Sequence, residues 1–346
     1  MRRDATHTWT PDEIHALIRG YQGAAVLAAA AELELFPALG QGPMTARALS
    51  ERIGCDLRAL WALLDALAAV RLLVKRGGRY SLSPGVADVL THGGGHSGLS
   101  MAQHQANCMR NWAQLARVVK AGRPAERTPS VRGAKGDREA FIGAMDNTSA
   151  PVADSVVRRV RPLRFSRLLD IGGASGTWTL AFLRACPTAT AVLFDLPAVI
   201  PMAASRVAAA GMSGRVRLVP GDFTADPLPD GADLAWVSAI VHQNSREQNR
   251  GLFAKVFSAL VPGGRIAIRD MVMDEARTRP LAGALFAVNM LVATEGGGTF
   301  TFRELRRDLE AAGFDRAVVA HRDPGMNSVV VARKPGGTSK GAARRR

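Results

Sequence analysis

Cysteine is scarce and scattered in this chain: Cys55, Cys108 and Cys186 stand far apart, an odd count without metal-ligand spacing. That excludes a disulfide-stapled scaffold and a zinc site, and the thiols read as reduced and cytoplasmic. No apolar run reaches membrane-spanning length; the longest, residues 24–31, is Ala-rich and interrupted by Glu32 and Glu34, so no membrane partner is expected. Met1-Arg2-Arg3-Asp4 is not followed by the apolar core of a signal peptide. Acidic residues are missing from the last fourteen positions, where six basic side chains sit among Pro335, Gly336, Gly337 and Gly341. This composition reads as a disordered basic tail. Without it the net charge drops from +15 to +9 (+15 less six), spread as scattered arginine. Solvated surface charge, not a nucleic-acid footprint, is the expectation.

What is present suits packed domains. The chain has 346 residues, 47% hydrophobic and 22% charged, too long for one ordinary core. Thr10-Pro11-Asp12-Glu13 combines an N-cap, a proline at the first helical position and a capping-box glutamate. An Ala/Leu-rich helix should follow to Phe36, ended by Pro37 and Gly40. Helices over residues 45–53 and 56–70 flank Gly54, with Leu57, Leu60, Trp61, Leu64 and Leu67 at helical spacing. Leu72-Leu73-Val74 and Tyr80-Ser81-Leu82 enclose Gly77-Gly78 as two short strands, which completes a winged-helix pattern. A Gly/His-rich loop (92–98), a helix (101–120), a Gly/Pro/Arg loop (121–136) and a helix (138–160) closed by Arg161-Pro162 follow.

From Leu168 the pattern alternates. Strands are expected over 167–171, 191–194, 216–219, 234–237 and 265–271, helices over 177–185, 198–210 and 247–260, and a closing strand pair over 317–321 and 328–332. The expected fold class is α/β, a Rossmann-like doubly wound, mostly parallel sheet preceded by a helical winged-helix domain. The expected divisions are 1–100 (winged-helix-like), 101–162 (helical linker that adds to the substrate pocket), 163–334 (cofactor-binding catalytic domain) and 335–346 (tail).

The central motif is Leu168-Leu169-Asp170-Ile171-Gly172-Gly173-Ala174-Ser175-Gly176, an apolar strand ending in an acid and a turn opening a helix. Gly172, Gly173 and Gly176 let the backbone pass close beneath a ligand. A phosphate site avoids a carboxylate there; a cofactor carrying ammonium and sulfonium cations, S-adenosyl-L-methionine, welcomes Asp170. Asp195 ends the second strand 25 residues on (195 − 170), suited to ribose hydroxyls, with Leu196 beside it. Asp222 closes the third strand, ready for the adenine amino group, and Phe223 for the ring. Ser238, at the end of the fourth strand, completes the expected cofactor set. No metal is expected.

Residues 168–313 resemble the methyltransferase domain of plant-type and bacterial small-molecule O-methyltransferases, the family of caffeic-acid, acetylserotonin and antibiotic-tailoring enzymes. The resemblance rests on the Asp170–Gly176 turn, Phe194-Asp195-Leu196-Pro197, Gly221-Asp222-Phe223, Leu260-Val261-Pro262-Gly263-Gly264 and Ala311-Ala312-Gly313-Phe314. It implies a homodimer built on the N-terminal unit, and S-adenosyl-L-homocysteine as product. It also implies that His242 is the general base and that Asp270, 28 residues later (270 − 242), orients it.

Two departures bear on the chemistry. Gln243-Asn244 replaces the Asp-Trp that usually follows the histidine, and Thr299 stands where many members carry a second acid, with Glu295 nearby. These favour a bacterial tailoring enzyme of secondary metabolism over a lignin-type one. The acceptor pocket is expected along residues 281–294, with Phe286, Asn289, Met290, Thr294 and Thr299, and a far wall from Asn107, Trp112, Met145 and Asn147. Alternatives are C- or N-methylation by proximity alone, a fold that retains cofactor without catalysis, an NAD-dependent oxidoreductase, and a winged-helix DNA-binding regulator. Asp170 beside a pyrophosphate disfavours the oxidoreductase. The regulator would need a polar recognition helix, whereas residues 56–70 carry little but Arg58 beyond Leu, Ala and Trp.

Overall fold

A computed structural model of the chain describes residues 7–92, 98–160 and 163–336. Most of the expected tail, the 93–97 part of the Gly/His loop and the Arg161-Pro162 helix end lie outside the described residues. The chain divides into two compact units: residues up to Ala113 with Glu126–Asn147, and Gln114–Ala125 with residues from Thr148 onward.

The first unit opens with α1 (Pro11–Arg19), whose capping box forms as expected: Thr10 Oγ1 accepts from Glu13 N–H while Glu13 accepts from Thr10 N–H at 2.8 Å. The long helix expected to Phe36 is three pieces. Gly20 separates α1 from α2 (Tyr21–Glu32), and Glu34, in the left-handed region, precedes α3 (Leu35–Leu39), which contains Pro37. Next come β1 (Met44–Thr45), α4 (Ala46–Ile53), α5 (Leu57–Ala69), β2 (Leu73–Arg76), β3 (Arg79–Leu82) and α6 (Val86–Leu90). Gly77 and Gly78 both have positive φ, the backbone that a two-residue hairpin turn requires. The two-residue β1 adds a third strand to the wing, in order β1-β3-β2. Leu60, Leu64 and Leu67 of α5 join Leu35, Phe36, Leu49 and Tyr80 in one core, while Trp61 stays half exposed. Beyond α7 (Leu99–Trp112) the chain leaves this unit for α8 (Leu115–Ala121) and returns for α9 (Gly133–Ser149).

The second unit contains α10 (Ala153–Val157) and then alternates: β4 (Arg167–Ile171), α11 (Thr177–Ala185), β5 (Thr190–Asp195), α12 (Ile200–Ala209), β6 (Val216–Pro220), β7 (Ala232–Ser238), α13 (Arg246–Ala259) and β8 (Leu260–Asp270). It ends with β9 (Val272–Met273), α14 (Leu281–Ala293), β10 (Phe300–Thr301), α15 (Phe302–Ala311), β11 (Asp315–His321) and β12 (Ser328–Arg333). Seven strands form a sheet in the order β11-β12-β8-β7-β4-β5-β6, parallel except that β12 runs antiparallel to both β8 and β11.

Alternation along the strands feeds two cores. Leu169, Ile171, Val237 and Ile268 pack with Phe253, Val256 and Leu305 from α13 and α15; Leu168, Trp236 and Ala267 pack with Trp178 and Phe182 of α11. Chain order reverses at β4, whose neighbours are β5 on one side and β7 on the other. Their carboxyl ends therefore frame the crevice where open α/β sheets take ligands.

Candidate active site

The turn after β4 sits at that crevice. Gly172 (φ +64°) and Gly176 (φ +80°) occupy left-handed backbone, and Ala174 does so too at φ +47°. A Cβ on Gly172 would lie 2.7 Å from Ile240 Cδ1, and one on Gly173 2.6 Å from Leu193 Cγ. Asp195, at the tip of β5, secures the turn: its Oδ2 accepts from Ala174 N–H at 2.7 Å and its Oδ1 from Leu196 N–H at 2.7 Å. Burial raises the Asp195 carboxyl above the usual range, and those two N–H donors oppose the rise. Each oxygen keeps acceptor capacity for a further hydroxyl.

Asp170 is turned inward. It is 1% exposed and accepts from Thr179 Oγ1 at 2.6 Å. Burial pushes its pKa up to about 7, against the Thr179 bond and with a smaller contribution from the Asp195 charge. The acid in the motif thus lies at the foot of the glycine turn, and Thr179, which the sequence reading did not single out, is its partner.

Asp222 caps its own loop, accepting from Thr224 Oγ1 at 2.7 Å and Thr224 N–H at 2.8 Å, and these bonds hold its carboxyl below the usual range. Phe223 packs on the core beside it. Lys255 was also missed. Its ammonium donates to the carbonyls of Phe223, Thr224 and Asp226 at 2.9 to 3.0 Å, so α13 fastens the Asp222 loop to the sheet.

The chain leaves β7 at Ser238, passes Ala239 (φ +57°) and makes a single tight turn over Val241–Gln243. That places His242, buried, against the tip of β8. His242 Nδ1 lies 2.9 Å from Asp270 Oδ1 and 3.1 Å from Oδ2. Asp270 also accepts the backbone N–H of His242 (3.2 Å) and of Met271 (2.7 Å). A carboxylate facing Nδ1 fixes the tautomer with hydrogen there and leaves Nε2 as the basic nitrogen. Phe286 of α14 meets the imidazole edge-on, with 4.8 Å between ring centroids.

The glycine loop before β10 braces this turn from behind. Gly298 N–H donates to His242 O at 2.9 Å, and a Cβ on Gly297 would stand 2.5 Å from that oxygen. Thr294 Oγ1 donates to Met290 O at 2.8 Å and accepts from Gly297 N–H at 2.9 Å; Thr299 Oγ1 donates to Gly283 O at 3.3 Å. Both hydroxyls are thus engaged with backbone, and Glu295 is exposed. Met290 is buried and Asn289 half buried on α14. Asn107, Trp112, Met145 and Asn147 belong to the first unit, where Asn107 accepts from Arg110.

Arg269 is a further buried charge without a sequence signal. It is 2% exposed, stacks over Trp178 at 4.6 Å, and burial draws its pKa down to about 10.

The turn carries no lysine or arginine to receive a phosphate; its glycine-rich backbone is secured by Asp195 at the tip of β5, and Asp222 stands just beyond the end of β6. This chemistry suits an adenosyl sulfonium, and the fold and site together are those of an S-adenosylmethionine-dependent methyltransferase. Comparison with known proteins agrees. Residues 112–315 match the O-methyltransferase domain and residues 16–93 the O-methyltransferase dimerisation domain. The 3-hydroxy-5-methyl-1-naphthoate 3-O-methyltransferase of Streptomyces sahachiroi is 32% identical, with 92% of this chain and 94% of that protein aligned. The tetracenomycin polyketide synthesis 8-O-methyl transferase TcmO of Streptomyces glaucescens is also 32% identical, over 95% and 98%. The crystal structure of human N-acetylserotonin methyltransferase in complex with SAM superposes with a TM-score of 0.80 at 25% identity, covering 96% of this chain and 100% of that one. The chain belongs to the O-methyltransferase family.

Proposed function

We propose that this enzyme methylates a hydroxyl on a small aromatic or polyketide-like metabolite, with His242 as general base and Asp270 as its orienting carboxylate. The observation that carries the proposal is the two-oxygen contact of Asp270 with His242 Nδ1 on the same sheet edge as the glycine turn. Asp195 would accept from the ribose hydroxyls, Leu196 and Phe223 would flank the adenine, Asp222 would accept its amino group, and Ser238 would line the same crevice. S-adenosylmethionine supplies a methyl group on positively charged sulfur. His242 Nε2 takes the acceptor's proton as its oxygen becomes nucleophilic, and the Asp270 charge stabilises the imidazolium that results. Phe286 would present an uncharged wall beside the imidazole, Asn289 and Met290 on the same helix would extend it, and the Thr294 and Thr299 hydroxyls, bonded to Met290 O and Gly283 O, would hold its backbone.

The test is tritium transfer from methyl-labelled S-adenosylmethionine to a panel of naphthols and their amino analogues. His242→Ala should lower turnover by about 10²–10⁴-fold while calorimetric affinity for S-adenosylhomocysteine stays unchanged. Full turnover in that variant would remove the assignment.

We further propose that the enzyme works as a homodimer in the cytoplasm, where its separated cysteines stay reduced. No helix among the described residues is long and apolar enough to cross a membrane. The support for a dimer, beside the matched dimerisation domain, is α1, a nine-residue helix with no buried residue.

A further inference from the structure

Arg269 sits on β8 directly opposite Ser238 of β7, both at the carboxyl end of the sheet. Its side chain lies on the α11 side, the opposite face from Asp270: it stacks on Trp178, in the first turn of α11. Three of its donors are placed. Nη1 donates to Ser238 Oγ at 3.1 Å, while Nε and Nη2 both donate to Asn327 Oδ1, at 2.9 and 2.7 Å.

Asn327 is itself held in a fastened loop. Asp323 Oδ1 accepts from the N–H of Gly325 and of Asn327, and Ser328 Oγ both accepts from Asp323 N–H and donates to Asp323 O. The guanidinium is thus aimed from one side by the β11–β12 connection and from below by an indole, with Ser238 at its far end.

A hydroxyl can donate or accept, but a guanidinium only donates. Ser238 Oγ must therefore accept from Arg269, and its own hydrogen is directed elsewhere. Ser238 remains half exposed at the crevice. We infer that Arg269 is a positioning residue that turns the Ser238 hydroxyl into an obligate hydrogen-bond donor toward an acceptor oxygen or nitrogen of the methyl donor. The inference rests on the reading of Ser238 as part of the donor crevice. It assigns Arg269 no contact with the ligand.

The experiment is a double-mutant cycle on affinity for S-adenosylhomocysteine, measured by calorimetry on the full chain, with thermal unfolding recorded for each variant. Ser238→Ala removes one hydrogen bond and should weaken binding about tenfold. Arg269→Lys keeps the charge but loses the fork that spans Ser238 and Asn327. It should weaken binding by a similar factor and raise the KM for S-adenosylmethionine with kcat held within about twofold. The double variant should bind no more weakly than Ser238→Ala alone, although its melting temperature falls further, because Arg269 acts on the ligand only through Ser238.

Asn327→Ala, which leaves the arginine in place but untethered, gives the same comparison if Arg269→Lys folds poorly. Independent, multiplying losses in either cycle overturn the inference and make Arg269 purely structural. Unchanged affinity in Ser238→Ala also overturns it, while Asp195→Ala would still weaken binding if the crevice reading is right. No binding by the unsubstituted protein would instead overturn the crevice reading itself.

Discussion

At the scale of single residues, Asp270 has the most exacting position. Its two oxygens face three N–H groups: the His242 ring, the His242 backbone and the Met271 backbone. An asparagine there offers one acceptor oxygen and must point its NH₂ at one of these donors. Asp270→Asn should cut turnover by about 10²-fold or more through loss of the fixed tautomer, with affinity for S-adenosylhomocysteine unchanged. Single-turnover kinetics alongside calorimetry separates the two.

Asp170 sets a pH dependence of opposite sense to that of most carboxylates. Its pKa is raised from 3.8 to about 7 in the folded chain, so the folded state holds a proton that the unfolded state has released. Stability from this group is fully present below about pH 4, declines as pH rises toward about 7 and levels off above, a change of up to about 4 kcal/mol. Asp170→Asn keeps an acceptor for Thr179 Oγ1 and removes the titration. Ligand-free wild type should therefore lose melting temperature relative to this variant between about pH 5 and pH 8. Parallel curves would contradict the burial argument.

At the scale of elements, the His242 turn depends on what lies behind it. Gly297 passes so near His242 O that a methyl group would stand 2.5 Å from that oxygen and 2.4 Å from Thr294 Oγ1. Gly297→Ala should displace the His242 turn, at a cost of about 1–3 kcal/mol. Turnover should fall while donor binding, which the proposal places on the ends of β4, β5, β6 and β7 ahead of the His242 turn, is retained. Equal loss of both in a kinetic and calorimetric comparison would show that the loop supports the whole site.

Sequence patterning carried the reading of the long elements because their signals are local. The Thr10 N-cap, the Gly77-Gly78 turn and the apolar strands of the second unit all announce themselves within a few residues. The break at Gly20 did not, since its backbone stays right-handed and a glycine in a helical run is tolerated. The two-residue strands β1, β9 and β10 are too short to show a period. In the site, the strand-tip acids were legible because topology brings consecutive strand ends together. The partners that aim them, Thr179 for Asp170, Lys255 for the Asp222 loop and the 296–298 glycines for His242, come from packing between distant segments, which no local pattern encodes.

At the scale of the whole molecule, α1 stands apart. Ile14, Leu17 and Ile18 of α1 are exposed apolar side chains, with Leu17 68% and Ile18 64% exposed, and Tyr21 at the start of α2 is exposed as well. Helices this short are marginal in water by themselves, and so large an uncovered stripe calls for a second subunit. Replacing Leu17 and Ile18 together by glutamate should convert the dimer to monomer in sedimentation velocity at micromolar concentration. A monomeric wild type would refute the proposal.

A helix that buries no residue in its own chain has its order set by how many neighbours are in solution. For α1, dilution should act as heat does elsewhere: helical content at the amino terminus would fade as subunits part, while the seven-stranded sheet stays intact.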